Sequence, residues 1–165
     1  MASAIQKEFE RRIFGESIPR IEKSIGLISK EQIWYKHNEH TNSVGTLILH
    51  LAGNVRQWIC SGIGNHPDTR KRFLEFTNDQ LLSKPELLKE LDDLKEDTLT
   101  ELSKLNDSDM LVMRRVQGYE ESTLSVIVHV IEHFSYHTGQ IALLVKLFTQ
   151  KNLGFYHGID LNQTG

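Results

Sequence analysis

His133 and His137 stand four residues apart in the run His133-Phe134-Ser135-Tyr136-His137. On a helix of 3.6 residues per turn this spacing sets the two imidazoles about 40° apart around the axis, one turn above the other. Two neutral imidazoles so placed can bind one metal ion. Ile127, Ile131, Phe134, Ile141 and Val145 define an inward face that both histidines border, while Glu132, Ser135, Gly139 and Lys146 point to solvent. A histidine at the margin of a core can reach a partly desolvated site. A lone pair at this spacing is more often surface histidine, and it is His50 that strengthens the case. His50 borders the stripe Val44, Leu47, Leu51 and Val55, on the same side as Asn54 and Gln57. Three imidazoles meeting at one end of a helical seam leave a divalent metal with open positions, as reactive sites require, whereas closed structural sites use four protein donors. Cys60 lies on another face of its helix and offers no fourth donor. Asn54 and Gln140 are candidates to orient these ligands or a substrate. His129 is either a third such residue or part of the helix surface. Glu120, Glu121 and Tyr136 are the candidate acid or base groups. His37, His40, His66 and His157 read as solvated, and Arg70-Lys71-Arg72 as a solvated face too short for nucleic acid.

These residues need helices to position them, and the apolar spacing supplies four. The first covers residues 3–29 through Ile5, Phe9, Ile13, Ile21, Ile25 and Ile28, with an interruption expected at Gly15 and Pro19. Residues 30–42 read as a polar loop anchored by Trp34 and Tyr35. A second helix spans about 43–61 behind Thr41-Asn42-Ser43, which holds its N-cap candidates. Residues 62–84 are a long connector with a short helix near 70–76. The third helix covers about 85–105, with Pro85 in its first turn and an inner stripe from Leu87 to Leu105. Residues 106–121 form a second connector, extended around Leu111–Val116. The fourth helix runs from about 122 to 150 behind Ser122 or Glu121, and residues 151–165 form a weakly patterned tail. The expected fold is all-α, a four-helix bundle in one domain over residues 1–165. The reach of the 62–84 connector allows the second and third helices to lie parallel.

Composition narrows the function classes. The chain has 165 residues, a formal charge of −3, 39% hydrophobic and 25% charged residues, which describes one globular domain. That balance gives no electrostatic reason to bind nucleic acid or an anionic membrane. Phosphate-binding glycine loops, G-x-S-x-G elbows and C-x-x-C pairs are absent. A single cysteine permits no intramolecular disulfide, and Lys7, Glu8 and Glu10 fall where a signal peptide needs an apolar run. The expected location is cytoplasmic, with no membrane span.

The segment from Asn42 to Asn54, followed by Trp58, resembles the second helix of the DinB/YfiT-like superfamily. His133-Phe134-Ser135-Tyr136-His137-Thr138-Gly139-Gln140-Ile141 resembles its fourth-helix signature, and Trp34 and Arg70 to Phe76 resemble one branch of it. Many members carry Arg where this chain has Thr138, which leaves the ligand positions intact. The resemblance implies a DinB-like four-helix bundle, a homodimer, and a three-histidine metal site at His50, His133 and His137. It implies zinc or nickel as the divalent metal. Relatives that use low-molecular-weight thiols such as bacillithiol or mycothiol imply a thiol cosubstrate and transfer of it to an electrophilic small molecule. Metal-dependent hydrolysis uses the same ligands, and a non-catalytic stress or interaction protein stabilised by its metal is the third reading.

Overall fold

Small hydroxyl side chains set where the helices begin. In the computed structural model, which describes residues 1–77 and 81–164, Ser43, Ser83 and Ser122 cap the three helices that carry or brace the histidines. Ser43 and Ser122 each satisfy a backbone N–H that the first helical turn would otherwise leave without a partner, and at Ser83 the Glu86 carboxylate accepts from the Ser83 N–H at 2.7 Å. Ser43 accepts from the Thr46 N–H at 3.1 Å and Ser122 from that of Ser125 at 3.1 Å.

The first long helix consists of α1 (Ala2–Glu10), a π-helical segment (Arg11–Ser17) and α2 (Ile18–Gly26). The interruption expected at Gly15 and Pro19 takes the form of this wider turn, in which the Ile18 N–H reaches back to the Ile13 carbonyl. Residues 30–42, expected as loop, instead begin with the short helix α3 (Lys30–Trp34). The physical reason is a reciprocal cap: Ser29 Oγ accepts from the Gln32 N–H, and Gln32 Oε1 accepts from the Ser29 N–H. Next come α4 (Val44–Val55), which continues into a second π-helical segment (Arg56–Ser61), then α5 (Leu74–Thr77) and α6 (Lys84–Ser103). A 3₁₀ turn (Asp107–Leu111) leads into strands β1 (Met113–Val116) and β2 (Tyr119–Ser122). The strands pair antiparallel from Met113 opposite Ser122 to Val116 opposite Tyr119. Gln117 and Gly118, both at positive φ, make the two-residue turn whose twist suits a hairpin. The extended stretch expected near Leu111–Val116 is therefore one half of a hairpin. The long α7 (Thr123–Thr149) completes the chain's regular structure.

Ten of the twelve residues of α4 are buried, so this helix lies at the centre of the bundle. Its neighbours give the topology. Gln6 donates to the Leu102 and Leu105 carbonyls and Lys84 to that of Ile28, so α1–α2 runs antiparallel to α6. Arg56 pairs with Glu90, and His66, just past the π-helical segment, with Glu101, so α4 and α6 run parallel. His50 meets His133 and Trp58 meets His129, so α4 and α7 are antiparallel. Parallel packing of consecutive helices needs a connector as long as a helix, and residues 62–84 supply it. Leu153 is buried, so part of the tail expected to be weakly patterned is packed against the core. No helix among the described residues is long and apolar enough to cross a membrane.

α3 and α4 approach closely at Gly45, where an added Cβ would lie 2.7 Å from the Trp34 ring. Trp34 cannot easily yield, because its Nε1–H donates to the Leu82 carbonyl at 3.0 Å. Gly45→Ala is expected to cost about 1–3 kcal/mol by overpacking. A thermal melt would show this as a fall of several degrees, and an unchanged melt would mean that Trp34 moves freely.

Candidate metal centre

Antiparallel packing of α4 on α7 brings His50, His133 and His137 together, one potential ligand atom from each lying within 4.8 Å of the others. His50 Nε2 lies 3.1 Å from His133 Nε2. The ring centroids are 4.5 Å apart for His133 and His137, and 5.1 Å for His50 and His137. The His50 side chain is 7% exposed, while His133 and His137 are half-buried and form the solvent-side wall.

The protons on these rings follow from their neighbours. His50 Nδ1 is 2.9 Å from Glu75 Oε2. A carboxylate only accepts, so His50 carries its proton on Nδ1 and presents a bare Nε2 toward His133. Arg70 Nη2, 3.1 Å from the same Nδ1, is a donor facing a donor, and its hydrogen bonds go to Glu75 Oε2 at 2.9 Å and the His50 carbonyl at 3.4 Å. His137 Nδ1 lies 2.7 Å from Gln140 Oε1, an amide oxygen that also accepts. His137 is thereby protonated on Nδ1 and bare on Nε2. Carboxylates and amides placed behind histidines in this way fix tautomer and ring orientation in metal sites. His133 Nδ1 is buried with no hydrogen-bond partner among the described residues.

Glu75 and Arg70 come from the connector and close on α4 at Gly53. A Cβ there would crowd Glu75 Oε1 and lie 2.9 Å from Arg70 Nε. Arg70 grips the carboxylate through Nε at 2.7 Å, donates to Gln57 Oε1 at 2.8 Å, and has a side chain only 5% exposed. This corrects the reading of Arg70-Lys71-Arg72 as a solvated face. Lys71 and Arg72 are exposed, but Arg70 points inward to a buried acid. Burial acts to raise the Glu75 carboxyl, but hydrogen bonds from His50 and Arg70 and the Arg70 charge outweigh it and hold the group below the usual carboxylate range.

Burial, followed by the neighbouring His137 and His50, pushes His133 down from 6.5 to about 3. His137 is lowered chiefly by burial, although its bond to Gln140 opposes the shift. The His133 and His137 rings are thus neutral and able to ligate at neutral pH. The unfolded chain binds more protons than the folded one between pH 6.5 and about 3 at His133. Stability from this histidine is therefore complete above pH 6.5 and is lost as the pH falls toward 3. The depressed Glu75 acts in the same direction at lower pH. Urea midpoints of chelator-treated protein are expected to fall between pH 7 and pH 4, and less steeply in His133→Gln. Parallel slopes would show that His133 is not the group responsible.

The other sequence candidates separate clearly. Gln140 touches His137 directly, whereas Asn54, though 4% exposed, makes no hydrogen bond to any of the three histidines. His129 is not a free surface residue: its ring stacks on Trp58 at 3.8 Å and is half-buried. Tyr136 stands beside His137, ring centroids 5.0 Å apart, and is exposed. Glu120 and Glu121 lie on β2 opposite Arg115 and Arg114. Cys60 and His66 line a cleft of about 690 Å³ on the far side of the Arg70–Glu75 pair. There His66 pairs with Glu101 at 3.0 Å, and burial with nearby Asp97 raises the Cys60 thiol to about 11. His37 stacks on Phe148 at 5.3 Å, and His40 and His157 are exposed.

Residues 6–157 match the family described as Protein of unknown function (DUF1572). The chain belongs to that family. A crystal structure of a DinB-like protein from Bacillus cereus ATCC 10987 is similar over 82% of this chain and 87% of that one, with a TM-score of 0.65 and 15% identity. A DinB-like protein from Bacillus subtilis matches over 90% and 94% of the two chains, again with a TM-score of 0.65, at 17% identity. The fold is DinB-like and all-α in class, with the small hairpin an addition to the bundle. No curated protein matches the chain.

Glu75 is the member of this constellation that residue spacing did not single out. It lies 25 residues from His50 in a connector, so no helical period relates the two. The one local sign was its place in the Arg70–Phe76 stretch, where an arginine precedes an acid by five residues.

Proposed function

We propose that this protein is a divalent-metal-dependent enzyme whose ligands are His50, His133 and His137, with a low-molecular-weight thiol as cosubstrate and an electrophilic small molecule as acceptor. The observation that carries the reading is the pair of Nε2 atoms 3.1 Å apart at the meeting of three histidines, two of which have their Nδ1 protons committed to Glu75 and Gln140. Imidazole donors suit zinc and nickel. A bound divalent cation supplies Lewis-acid chemistry there, lowering the pKa of a thiol or of water so that a nucleophile is present at neutral pH.

The chain's own residues do the rest. Glu75 and Gln140 orient two imidazoles. Arg70 keeps Glu75 ionised and in place. His133 and His137 border solvent, so a small molecule reaches the site from that side. Cys60 is ten residues beyond His50, about 15 Å along the helix at 1.5 Å per residue, and does not close the donor set. Three protein donors leave room for a substrate atom. Tyr136 is the exposed proton-carrying group nearest in sequence to His137 and the first candidate to serve a leaving group. A thiol kept reduced places the reaction in the cytoplasm, and the family resemblance carries a homodimer, which light scattering checks against the 19.0 kDa chain.

The test is a screen in which chelator-stripped protein is reloaded with zinc or nickel and mixed with thiol and electrophile. Thiol consumption that needs the metal and disappears in His137→Ala supports the proposal. Loss of the electrophile without thiol consumption would assign hydrolysis instead, and no turnover with any thiol would sink the transferase reading.

A further inference from the structure

Glu75 accepts from His50 Nδ1 and Gln140 from His137 Nδ1, but His133 Nδ1 has no protein partner. Among the described residues, four buried side-chain atoms lack a hydrogen-bond partner: Asn54 Oδ1, Trp58 Nε1, His129 Nε2 and His133 Nδ1. All four belong to one seam. Asn54 and Trp58 are one turn apart along α4 and its π-helical continuation, and both are 4% exposed. His129 and His133 are one turn apart on α7. Antiparallel packing sets Trp58 against His129 with centroids 3.8 Å apart, and His129 stacks toward His133 at 5.5 Å.

A buried polar atom without a partner costs about 1–3 kcal/mol. Native interiors leave few such atoms, and those they leave are commonly satisfied by ordered water. Four such atoms lie along one seam that ends at a candidate ligand. The set is also mixed. Asn54 Oδ1 only accepts, Trp58 Nε1–H only donates, and each histidine nitrogen does one or the other by tautomer. A guest that satisfies all of them must donate and accept and must be small enough to lie between packed helices. Water meets both conditions.

We infer that a short file of ordered water occupies the α4–α7 seam and gives His133 the hydrogen bond that Glu75 and Gln140 give the other two histidines. Asn54, Trp58 and His129 are then positioning residues for the third imidazole. The water file stands on the unpartnered atoms alone, while its effect on a bound cation rests on the function proposed above.

Metal-free protein tests the file directly. In water-exchange NMR the Trp58 indole proton is expected to show a cross-peak to long-lived water. Trp34, whose indole donates to the Leu82 carbonyl, is the internal reference and is expected to show none. Asn54→Leu keeps the volume and removes the acceptor, and its melt is expected to fall by roughly 2–4 °C as the water loses a partner. Absence of the Trp58 cross-peak overturns the inference. So does an equal or higher melt for Asn54→Leu, the result if Asn54 Oδ1 were simply unsatisfied. With zinc added, Asn54→Leu is expected to bind about tenfold more weakly than wild type. Unchanged affinity overturns the positioning role, whereas a wild type that binds no zinc refutes the proposed function and leaves both metal-free measurements intact.

Discussion

Chelator-stripped wild-type protein is expected to take up about one equivalent of zinc or nickel, and His137→Ala to retain none after desalting. His50 and His133 alone offer two donors, and two imidazoles hold a divalent ion far more weakly than three. The loss is expected to exceed the roughly 10–100-fold that follows from disturbing a group behind a ligand. Gln140→Leu, which frees the Nδ1–H of His137 without removing the ligand, is expected to fall within that smaller range. Isothermal titration against a competing chelator separates the two. Binding the folded state also stabilises it: at a free metal concentration of about 100 Kd the gain is ~2.7 kcal/mol. Wild type is therefore expected to melt roughly 5–10 °C higher with metal than without, and His137→Ala to show no difference. Equal uptake by the two proteins would show that the histidine cluster is not the site.

Glu75→Ala is expected to be the most destabilising single change near the site. The Arg70 side chain is 5% exposed and donates to Glu75 through two nitrogens, so removing the acid leaves a buried guanidinium with its charge uncompensated. Breaking such a pair costs about 3–5 kcal/mol, which urea denaturation of the metal-free protein would report. The same change lets the His50 proton move between its nitrogens and is expected to weaken zinc binding by about 10–100-fold. The double variant Arg70→Met, Glu75→Leu distinguishes the two effects. It removes both charges together, so stability is expected to return toward wild type while cation affinity stays low. Recovery of both properties would reduce the pair to a structural clip with no bearing on His50.

The bundle and the three histidines were legible in the residues because the information that places them is local. Helical period alone aligns His133 with His137, and it sets His50 at the margin of the face made by Val44, Leu47, Leu51 and Val55. Capping serines at 43 and 122 mark the helix starts within a residue or two. The family motifs then paired the two helices. Short-range signals were weaker where two conformations compete. The stretch after Ser29 was polar enough to read as loop, and only the reciprocal bond between Ser29 and Gln32 turns it into helix.

The way the connector folds back is visible only in the packed molecule. Periodicity relates residues within one element and says nothing about a side chain that crosses from another. Arg70 looked like its exposed neighbours because three basic residues in a row have no period, yet Gly53 opens the space on α4 into which it turns with Glu75. The protons on His50 and His137, the isolation of His133 Nδ1 and the stacking of His129 on Trp58 are likewise set by contacts across helices. Residue order along the chain is enough to say which side chains could ligate a metal and on which helical faces they stand. Packing determined which of them carry a partner behind them, because hydrogen bonds act over about 3 Å and only the folded chain brings such distant residues that close.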